Sequence, residues 1–306
     1  MDKIAFVFAG QGAQYSGMGK SLYDASEGVR ALYEMAESVR PGTMEQSFSG
    51  TAEELKMTVN TQPCLYLVDL AAAIALSENG IKADAVAGFS LGELAALGFA
   101  GAYSYEDGFR ITCKRGKFMQ DASDEYDTAM AAVMKVDADT VAKVCSEFEH
   151  VYPVNFNSSA QTVVAGLKDE LVLFKEKMSE YPCRIVDLAV SGGFHSPFMK
   201  SASEKLGEEL KNYTVNLPKI PAYSNTTALP YDGDAAQMLE KQVANPVLWK
   251  KTVKNMIADG INVFIEVGAG KTLSGLIKKI SGDVKVFSVQ DAEGLAKTLE
   301  EVRADA

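Results

Sequence analysis

Short apolar runs alternate with longer segments of mixed polarity along most of the chain. The runs at 3–9, 84–89, 262–266 and 284–288 have the length and the composition of buried strands. Helical periodicity, with capping and stop residues, predicts helices near 19–39, 63–78, 91–100, 105–122, 197–211, 234–243 and 247–259, one that ends at 280, and one at the carboxyl end. Strands that alternate with helices predict a parallel sheet covered on both faces.

The pattern changes between 128 and 187, where short strands dominate. Strands are predicted at 129–133, 151–156, 162–165 and 183–187, and helices at 138–148 and 168–178. The order β-α-β-β-α-β is typical of a ferredoxin-like unit. We therefore predict an α/β protein with a large α/β-hydrolase-like domain, residues 1–126 and 190–306, into which a small ferredoxin-like domain, residues 127–189, is inserted.

Composition narrows the class of protein. The 306 residues, 47% of them hydrophobic, suffice for a large core, and a net charge of −11 disfavours nucleic-acid binding. The first apolar run is too short for a signal peptide, and the longest apolar helix predicted, Pro63 to Leu76, carries Asp69 and is too short to span a bilayer. The four cysteines are dispersed without metal-ligand spacing. We expect a cytoplasmic monomer with reduced thiols, no metal and no membrane contact.

A serine turn carries the first candidate chemistry. Gly88-Phe89-Ser90-Leu91-Gly92 matches G-x-S-x-G between a predicted strand and a predicted helix. The glycines permit the sharp turn that raises a serine hydroxyl above a sheet, where it can act as a nucleophile. The same turn aims the Leu91 backbone N–H and the helix amino terminus at developing negative charge. The motif alone fits an ordinary turn with a serine cap equally well.

A serine nucleophile needs a base, and the chain contains two histidines. His150 follows acidic residues at a predicted helix end, which favours a solvated role. His195 lies in a predicted loop that leads into a helix, and such loops often hold catalytic groups. His195 is therefore the favoured base.

Two more glycine turns follow predicted strands. Gly10-Gln11-Gly12 lacks the third glycine of a dinucleotide-binding loop, so the Gln11 backbone either approaches a ligand or forms a tight turn. The segment 268–272 ends like a phosphate-binding P-loop, but Ile265 stands where that motif requires glycine. This departure excludes nucleotide hydrolysis and favours a packed turn.

Seven segments, in order along nearly the whole chain, resemble the malonyl-CoA:acyl carrier protein transacylases, kin to polyketide-synthase acyltransferase domains. They lie at 8–14, 88–93, 115–120, 155–158, 193–199, 242–247 and 266–273. Each segment alone is a weak signal, whereas the ordered set is specific. The resemblance implies transfer of a malonyl group from coenzyme A to the phosphopantetheine thiol of an acyl carrier protein. The coenzyme A thioester would be a substrate, and no cofactor is expected.

The resemblance also implies catalytic roles at matched positions. Ser90 would carry the malonyl ester, and His195 would serve as general base and acid. The side-chain oxygen of Gln242 would orient that histidine in place of a hydrolase aspartate. The backbone amides of Gln11 and Leu91 would form the oxyanion hole.

Substrate binding is implied at four further positions. Arg115 would pair with the free carboxylate of malonyl, because its planar fork can bind a carboxylate through two hydrogen bonds. Met119 follows one helical turn later and can face the same pocket. Asn157 would lie near the acyl site, and Phe194 resembles malonyl-selective members. One position departs from the family, which usually has histidine where Phe89 stands.

Two rival functions stay open at this point. An α/β-hydrolase thioesterase would place an acid between serine and histidine in the chain, and Asp187 occupies such a position. A non-catalytic carrier-binding scaffold would keep the fold without the chemistry. An acidic carrier would need a local basic patch on this acidic chain, for which the candidates are Lys200, Lys250 and Lys251.

Overall fold

The computed structural model describes residues 2–190 and 192–304, which form two sheets with helices around them. The strands are β1 Ile4–Phe8, β2 Ala85–Gly88, β3 Thr128–Met134, β4 Val151–Ser158, β5 Gln161–Leu167, β6 Arg184–Asp187, β7 Ala222–Tyr223, β8 Val263–Val267 and β9 Lys285–Val289. The helices are α1 Lys20–Ala25, α2 Glu27–Val39, α3 Thr43–Ser49, α4 Ala52–Lys56, α5 Thr58–Glu78, α6 Leu91–Phe99, α7 Tyr105–Asp124, α8 Ala138–Cys145, α9 Lys168–Met178, α10 Lys200–Leu210, α11 Ala235–Val243, α12 Trp249–Ala258, α13 Thr272–Ile280 and α14 Ala292–Ala304.

The first sheet has the strand order β7-β2-β1-β8-β9, and all of its strand pairs are parallel. Its central strand is apolar and fully buried from Ala5 to Phe8, as expected of a parallel sheet covered on both faces. Because Phe8 pairs with Gly88 and with Val267, the turns after β1, β2 and β8 meet at one edge. Ligands of open α/β sheets bind at this edge.

The second sheet has the order β4-β5-β3-β6 and is antiparallel throughout. Alternate residues of β3 face opposite sides: Ala131 and Val133 pack with α8 and α9, whereas Met130 and Ala132 join the main core cluster. The sheet therefore has one face covered by its own helices and one face turned to the large domain. This separate antiparallel sheet beside a parallel one confirms the predicted fold class.

Helix α5 is longer than the sequence pattern predicted. It begins at Thr58 rather than near Pro63, and the proline lies within its amino-terminal part. Among the described residues it is the one helix long and apolar enough to cross a membrane, but 83% of that window is buried inside the protein. Such burial is typical of a core helix, and α6 and α7 both pack against α5.

Three local features were not predicted. Helices α3 and α4 lie in a polar stretch, and with seven and five residues they are too short to show a clear helical period in the sequence. The single helix expected at 19–39 is divided at Ser26, whose side chain accepts a hydrogen bond from the Val29 N–H and so caps α2. Strand β7 has two residues, too few to produce an alternating pattern.

Candidate active site

Ser90 occupies a strained turn between β2 and α6. Its φ is 55° and its ψ is −106°, a conformation that a residue with a side chain adopts rarely. The flanking glycines are required by close packing: a Cβ on Gly88 would lie 1.9 Å from the Gly92 carbonyl carbon, and one on Gly92 would lie 2.2 Å from the Phe8 oxygen. The turn therefore holds the serine hydroxyl at the edge where the parallel strands end.

His195 lies within hydrogen-bond distance of Ser90 although 105 residues separate them. The Nε2 to Oγ distance is 2.7 Å, and the imidazole is 3% exposed. Its Nδ1 lies 3.0 Å from the carbonyl oxygen of Gln242 and 3.2 Å from that of Asn245. Because carbonyl oxygens only accept hydrogen bonds, Nδ1 carries the proton and Nε2 is left to accept from Ser90. The pair has the geometry of a nucleophile and its general base.

The expected role of the Gln242 side chain is wrong. The main-chain carbonyl of Gln242 holds the imidazole, whereas its side-chain oxygen accepts a hydrogen bond from Arg115 Nη2 at 2.9 Å. The side-chain nitrogen donates to the Ser90 carbonyl at 2.6 Å and to Glu93 Oε2 at 2.9 Å. The Gln242 amide can link Arg115 with Ser90 and Glu93 because an amide side chain both donates and accepts hydrogen bonds.

The pKa of His195 is lowered to about 4, first because burial disfavours the imidazolium and second because Arg115 is nearby. The free enzyme therefore keeps a neutral, basic imidazole far below the pH at which an ordinary histidine is protonated. We expect kcat/KM for acylation to stay level down to about pH 5 and to fall as pH drops through about 4, because only neutral His195 accepts the Ser90 proton.

NMR titration of the imidazole resonances checks this pH dependence directly, because the chain has two histidines. His150→Gln assigns the other resonance, whose ring contacts Glu170 at 2.7 Å. A His195 transition near 6.5, the value of an unperturbed histidine, would contradict the prediction.

Arg115 is a buried cation beside Ser90. It is 1% exposed, its Nη1 donates to Gln62 Oε1 at 2.8 Å, and its Nη2 lies 3.3 Å from Ser90 Oγ. Burial lowers its pKa to about 10, so the group stays protonated at neutral pH. Its Nε has no hydrogen-bond partner within the part of the chain described. A buried guanidinium with unused donor capacity is suited to an anionic ligand.

Two residues that sequence reasoning gave no role hold the serine turn. Asn225 Oδ1 accepts from the Ser90 N–H at 2.7 Å, and its Nδ2 donates to the Gly88 carbonyl at 2.5 Å. Glu93 accepts from the Asn225 N–H at 3.0 Å and, as noted above, from the Gln242 amide. Burial raises the pKa of Glu93 to about 7. Glu93 belonged to the serine motif, but Asn225 follows β7, where no pattern marked it.

We expect Asn225→Ala to lower the rate of acylation about 10- to 100-fold, since a lost hydrogen bond in a buried network costs about 1.5–3 kcal/mol. The KM for malonyl-CoA, the substrate that the resemblance implies, should change little, because Asn225 positions the turn and is not expected to touch substrate. Single-turnover acylation measures the effect. The matched control is Ser224→Ala, whose hydroxyl bonds to Thr226 instead. If both variants lose the same factor in the rate of acylation, Asn225 has no specific role in positioning the Ser90 turn.

The two amides expected to form an oxyanion hole are those of Gln11 and Leu91. Neither the Gln11 N–H nor the Leu91 N–H has a hydrogen-bond acceptor among the residues described here. Leu91 is the first residue of α6, where amides lack partners within the helix and the helix dipole favours negative charge. Both residues lie at the same sheet edge, in the turns after β1 and β2. Free donors at this edge suit a developing oxyanion.

A cavity of about 70 Å³ lies directly beside Ser90 and shares four lining residues with one of about 210 Å³. Met119 and Phe194 line the smaller cavity together with Ser90 and His195, and Arg115 lies behind them. Asn157 lines the larger cavity instead, while Asn155, which the sequence analysis did not single out, lines both. The Oδ1 atoms of both asparagines are buried without a partner among the described residues.

Phe89, at the position where the family usually has histidine, packs its ring edge-on against Trp249 with centroids 5.6 Å apart. Phe89 also lines both cavities. The substitution therefore places an apolar ring at the wall of the cleft. It leaves the contact between His195 and Ser90 in place.

The remaining candidates from the sequence lie outside the site or have a role in packing. Asp187 is exposed and pairs with Lys175 at 2.5 Å, so it is not the acid of a hydrolase triad. Gly268 has a φ of 113°, and a Cβ there would lie 1.7 Å from Asp69 Oδ1, which fits the packed turn favoured over a P-loop. Lys200, Lys250 and Lys251 line neither the two cavities beside the nucleophile nor the hollow beyond them.

Comparisons with known proteins show which family the chain belongs to. The sequence model of the acyl transferase domain family matches residues 5–291. The malonyl CoA-acyl carrier protein transacylase of Bacillus subtilis (strain 168) is 37% identical over 313 residues, covering 100% of this chain and 99% of the relative. The crystal structure of malonyl CoA-acyl carrier protein transacylase from Clostridium perfringens has a TM-score of 0.95 at 36% identity, covering 99% of this chain and 98% of the other.

A malonyl-transacylase solved in complex with its type II PKS acyl-carrier protein has a TM-score of 0.94 at 32% identity, covering 98% of this chain and all of the other. Similarity of sequence and of structure thus extends over nearly the full length of each protein. The chain therefore belongs to the acyl transferase domain family and, within it, to the malonyl CoA-acyl carrier protein transacylases.

Proposed function

We propose that this protein transfers a malonyl group from malonyl-CoA to the phosphopantetheine thiol of an acyl carrier protein, through an ester on Ser90. The observation that carries the proposal is the contact of 2.7 Å between His195 Nε2 and Ser90 Oγ, with the buried Arg115 guanidinium 3.3 Å from the same oxygen. In this proposal, Ser90 is the nucleophile, His195 its base and Arg115 the cation that binds the carboxylate.

In the first half-reaction, His195 Nε2 takes the proton of Ser90 while Oγ attacks the thioester carbonyl. The Gln11 and Leu91 amides stabilise the oxyanion that forms. The carbon–sulfur bond then breaks, and the thiol of coenzyme A leaves with the proton that His195 returns. The malonyl ester on Ser90 and free coenzyme A are the products.

The second half-reaction reverses these steps with a different thiol. His195 takes the proton of the carrier's phosphopantetheine thiol, whose sulfur attacks the ester carbonyl. The carbon–oxygen bond to Ser90 breaks, and His195 returns the proton to Oγ. The order is ping-pong, because one site accepts both thiols in turn.

Arg115 selects the acyl group in this proposal. Arg115 Nη2 has two N–H groups, of which one donates to Gln242 Oε1 and the other faces Ser90 Oγ. Because the oxygen of the Ser90 ester is a weaker acceptor, this second N–H can turn, with the unpartnered Nε–H, to the malonyl carboxylate. Met119 and Phe194 close the apolar sides of the cavity. The buried Oδ1 atoms of Asn155 and Asn157 would accept hydrogen bonds from the amide N–H groups of the pantetheine arm.

No metal or cofactor takes part in either half-reaction, and the coenzyme A thioester is a substrate. The protein would act as a monomer in the cytoplasm, on soluble substrates.

Transfer to a carrier tests the function. With malonyl-CoA and a holo acyl carrier protein, intact mass should show the carrier gaining one malonyl unit and initial rates should follow parallel double-reciprocal lines. Release of free malonate without carrier acylation would instead indicate the thioesterase. An enzyme mass that never changes with malonyl-CoA, and a carrier that stays unmodified, would indicate the non-catalytic scaffold.

A further inference from the structure

A hollow of about 420 Å³ lies beyond the cleft that leads from Ser90. Its polar wall contains three cationic side chains, Lys135, Arg184 and Lys279. The other lining residues are neutral: Met134, Ser158, Ser159, Ala160 and Gln161. Cations alone therefore supply the charge of this hollow, in a chain whose net charge is −11.

These three cations have no carboxylate partner among the described residues. Within residues 2–190 and 192–304, none of them lies within 4.0 Å of a carboxylate oxygen, whereas Lys175 on the same small domain pairs with Asp187 at 2.5 Å. The backbone of Lys135 is also held in place, because its N–H donates to the Ala160 carbonyl at 2.9 Å and its φ of 70° lies in the left-handed region, which residues other than glycine adopt rarely. An unneutralised cluster of this kind suits an anion.

One wall of the cleft connects the nucleophile with this cluster. Met130, Ala132 and Met134 alternate along β3 and share one face. Met130 lines the cavity beside Ser90, Ala132 lines the next cavity, and Met134 lines the cationic hollow. Four residues of strand correspond to about 13 Å, which is the separation of Met130 from Met134 along this wall.

The opposite wall runs in the same direction. Thr272, Leu276 and Lys279 on α13 are spaced by four and three residues, so they lie on one helix face. The first two line the middle cavity and Lys279 lines the cationic hollow. Gln161 lines both spaces and marks their junction. The path from Ser90 is therefore continuous and ends between cations of the small and the large domain.

We propose that Lys135, Arg184 and Lys279 bind the phosphate at the end of the pantetheine arm of the substrate thioester. The inference rests on the proposed function, because it takes the arm to lie along this cleft with its thioester at Ser90. About 13 bonds separate the sulfur from that phosphate, and an extended chain of this length spans roughly 15 Å. Coenzyme A and a holo carrier protein carry the phosphate at the same point, so one site serves both half-reactions.

Three malonyl donors that differ only beyond the arm test the site: malonyl-pantetheine, malonyl-phosphopantetheine and malonyl-CoA. In the triple variant Lys135→Gln, Arg184→Gln, Lys279→Gln, we expect kcat/KM to fall about 10- to 100-fold for the two donors with phosphate, as charge-assisted contacts are lost. Malonyl-pantetheine should react as with the unaltered enzyme. The same variant should also lose a similar factor with the holo carrier as acceptor.

The control is the double variant Lys211→Gln, Lys297→Gln. It removes two exposed lysines that pair with glutamates, Lys211 with Glu208 and Lys297 with Glu301. Those changes should leave all three donors unaffected. Equal losses for all donors, no loss for any, or a loss for malonyl-CoA alone would overturn the proposal. The last result would place the nucleotide phosphates at the cluster.

Direct binding separates this inference from the proposed function. Calorimetry should show 4′-phosphopantetheine binding the unaltered protein more tightly than pantetheine, and the triple variant binding both alike. This holds whether or not malonyl transfer occurs. Equal affinities of the unaltered protein for the two compounds would overturn the phosphate site and leave the transfer chemistry untouched.

Discussion

Ser90→Ala is expected to abolish the malonyl-enzyme adduct and to lower transfer by roughly 10⁴-fold or more, the scale seen when a serine nucleophile is removed. The expectation follows from two observations. The strained turn presents Ser90 Oγ, and the Nε2 atom of His195 lies 2.7 Å from this oxygen, where it can accept the serine proton. Intact mass after brief incubation with malonyl-CoA measures the adduct, and the carrier assay measures transfer.

Two controls make this result interpretable. Ser196→Ala removes a buried serine next to the base, whose hydroxyl donates to the Gly193 carbonyl, and it should leave the adduct in place. Circular dichroism should show that Ser90→Ala is folded, because Gln242 and Asn225 bind the main chain at Ser90 rather than its side chain. An adduct of full occupancy on folded Ser90→Ala would refute the assignment of the nucleophile.

Arg115→Ala should lower kcat/KM for malonyl-CoA by roughly 30- to 4000-fold, because loss of a desolvated charged contact costs about 2–5 kcal/mol. Acetyl-CoA should be affected far less, since it has no carboxylate to pair with the guanidinium. Parallel assays of both donors give the selectivity ratio. The ratio matters more than either rate, because truncation also leaves the side-chain oxygens of Gln62 and Gln242 without their donor.

Arg115→Lys separates charge from geometry. The lysine keeps a cation but loses the planar fork, so we expect malonyl transfer between that of the unaltered enzyme and that of Arg115→Ala. Arg110→Ala, an exposed arginine on the same helix that pairs with Glu106, is the matched control and should change neither donor. If Arg115→Ala lowers malonyl and acetyl transfer by the same factor, the residue is structural and does not bind the carboxylate.

Part of this site could be predicted from local sequence. The strands of the first sheet that end in a glycine turn could be predicted from their apolar runs, because an apolar run followed by turn residues is a local signal. The G-x-S-x-G motif was therefore visible, and His195 was favoured as a base because it is the one of the two histidines that lies in a predicted loop. The fold class followed from the alternation of strands and helices, since parallel strands need helical crossovers.

Contacts between distant segments could not be predicted. The extension of α5 to Thr58 depended on burial against α6 and α7, which outweighs the proline at its start. Sequence assigned the orienting contact of His195 to the wrong atom of Gln242, because which group of an amide residue reaches a partner depends on the packed backbone. Asn225 was missed for the same reason, since its contacts with Gly88 and Ser90 cross more than 130 residues.

The sequence by itself predicted most of the strands and helices, the two kinds of sheet and the pairing of Ser90 with His195 as candidates for nucleophile and base. Those predictions depend on periodicity and side-chain chemistry, which are local. The role of Arg115 came from the resemblance of seven ordered segments rather than from any one of them. Only the tertiary structure decided the tautomer of His195, the buried environment that lowers its pKa, and the convergence of Lys135, Arg184 and Lys279. Desolvation and long-range hydrogen bonds arise when segments far apart in the chain are packed together, so no single segment encodes them.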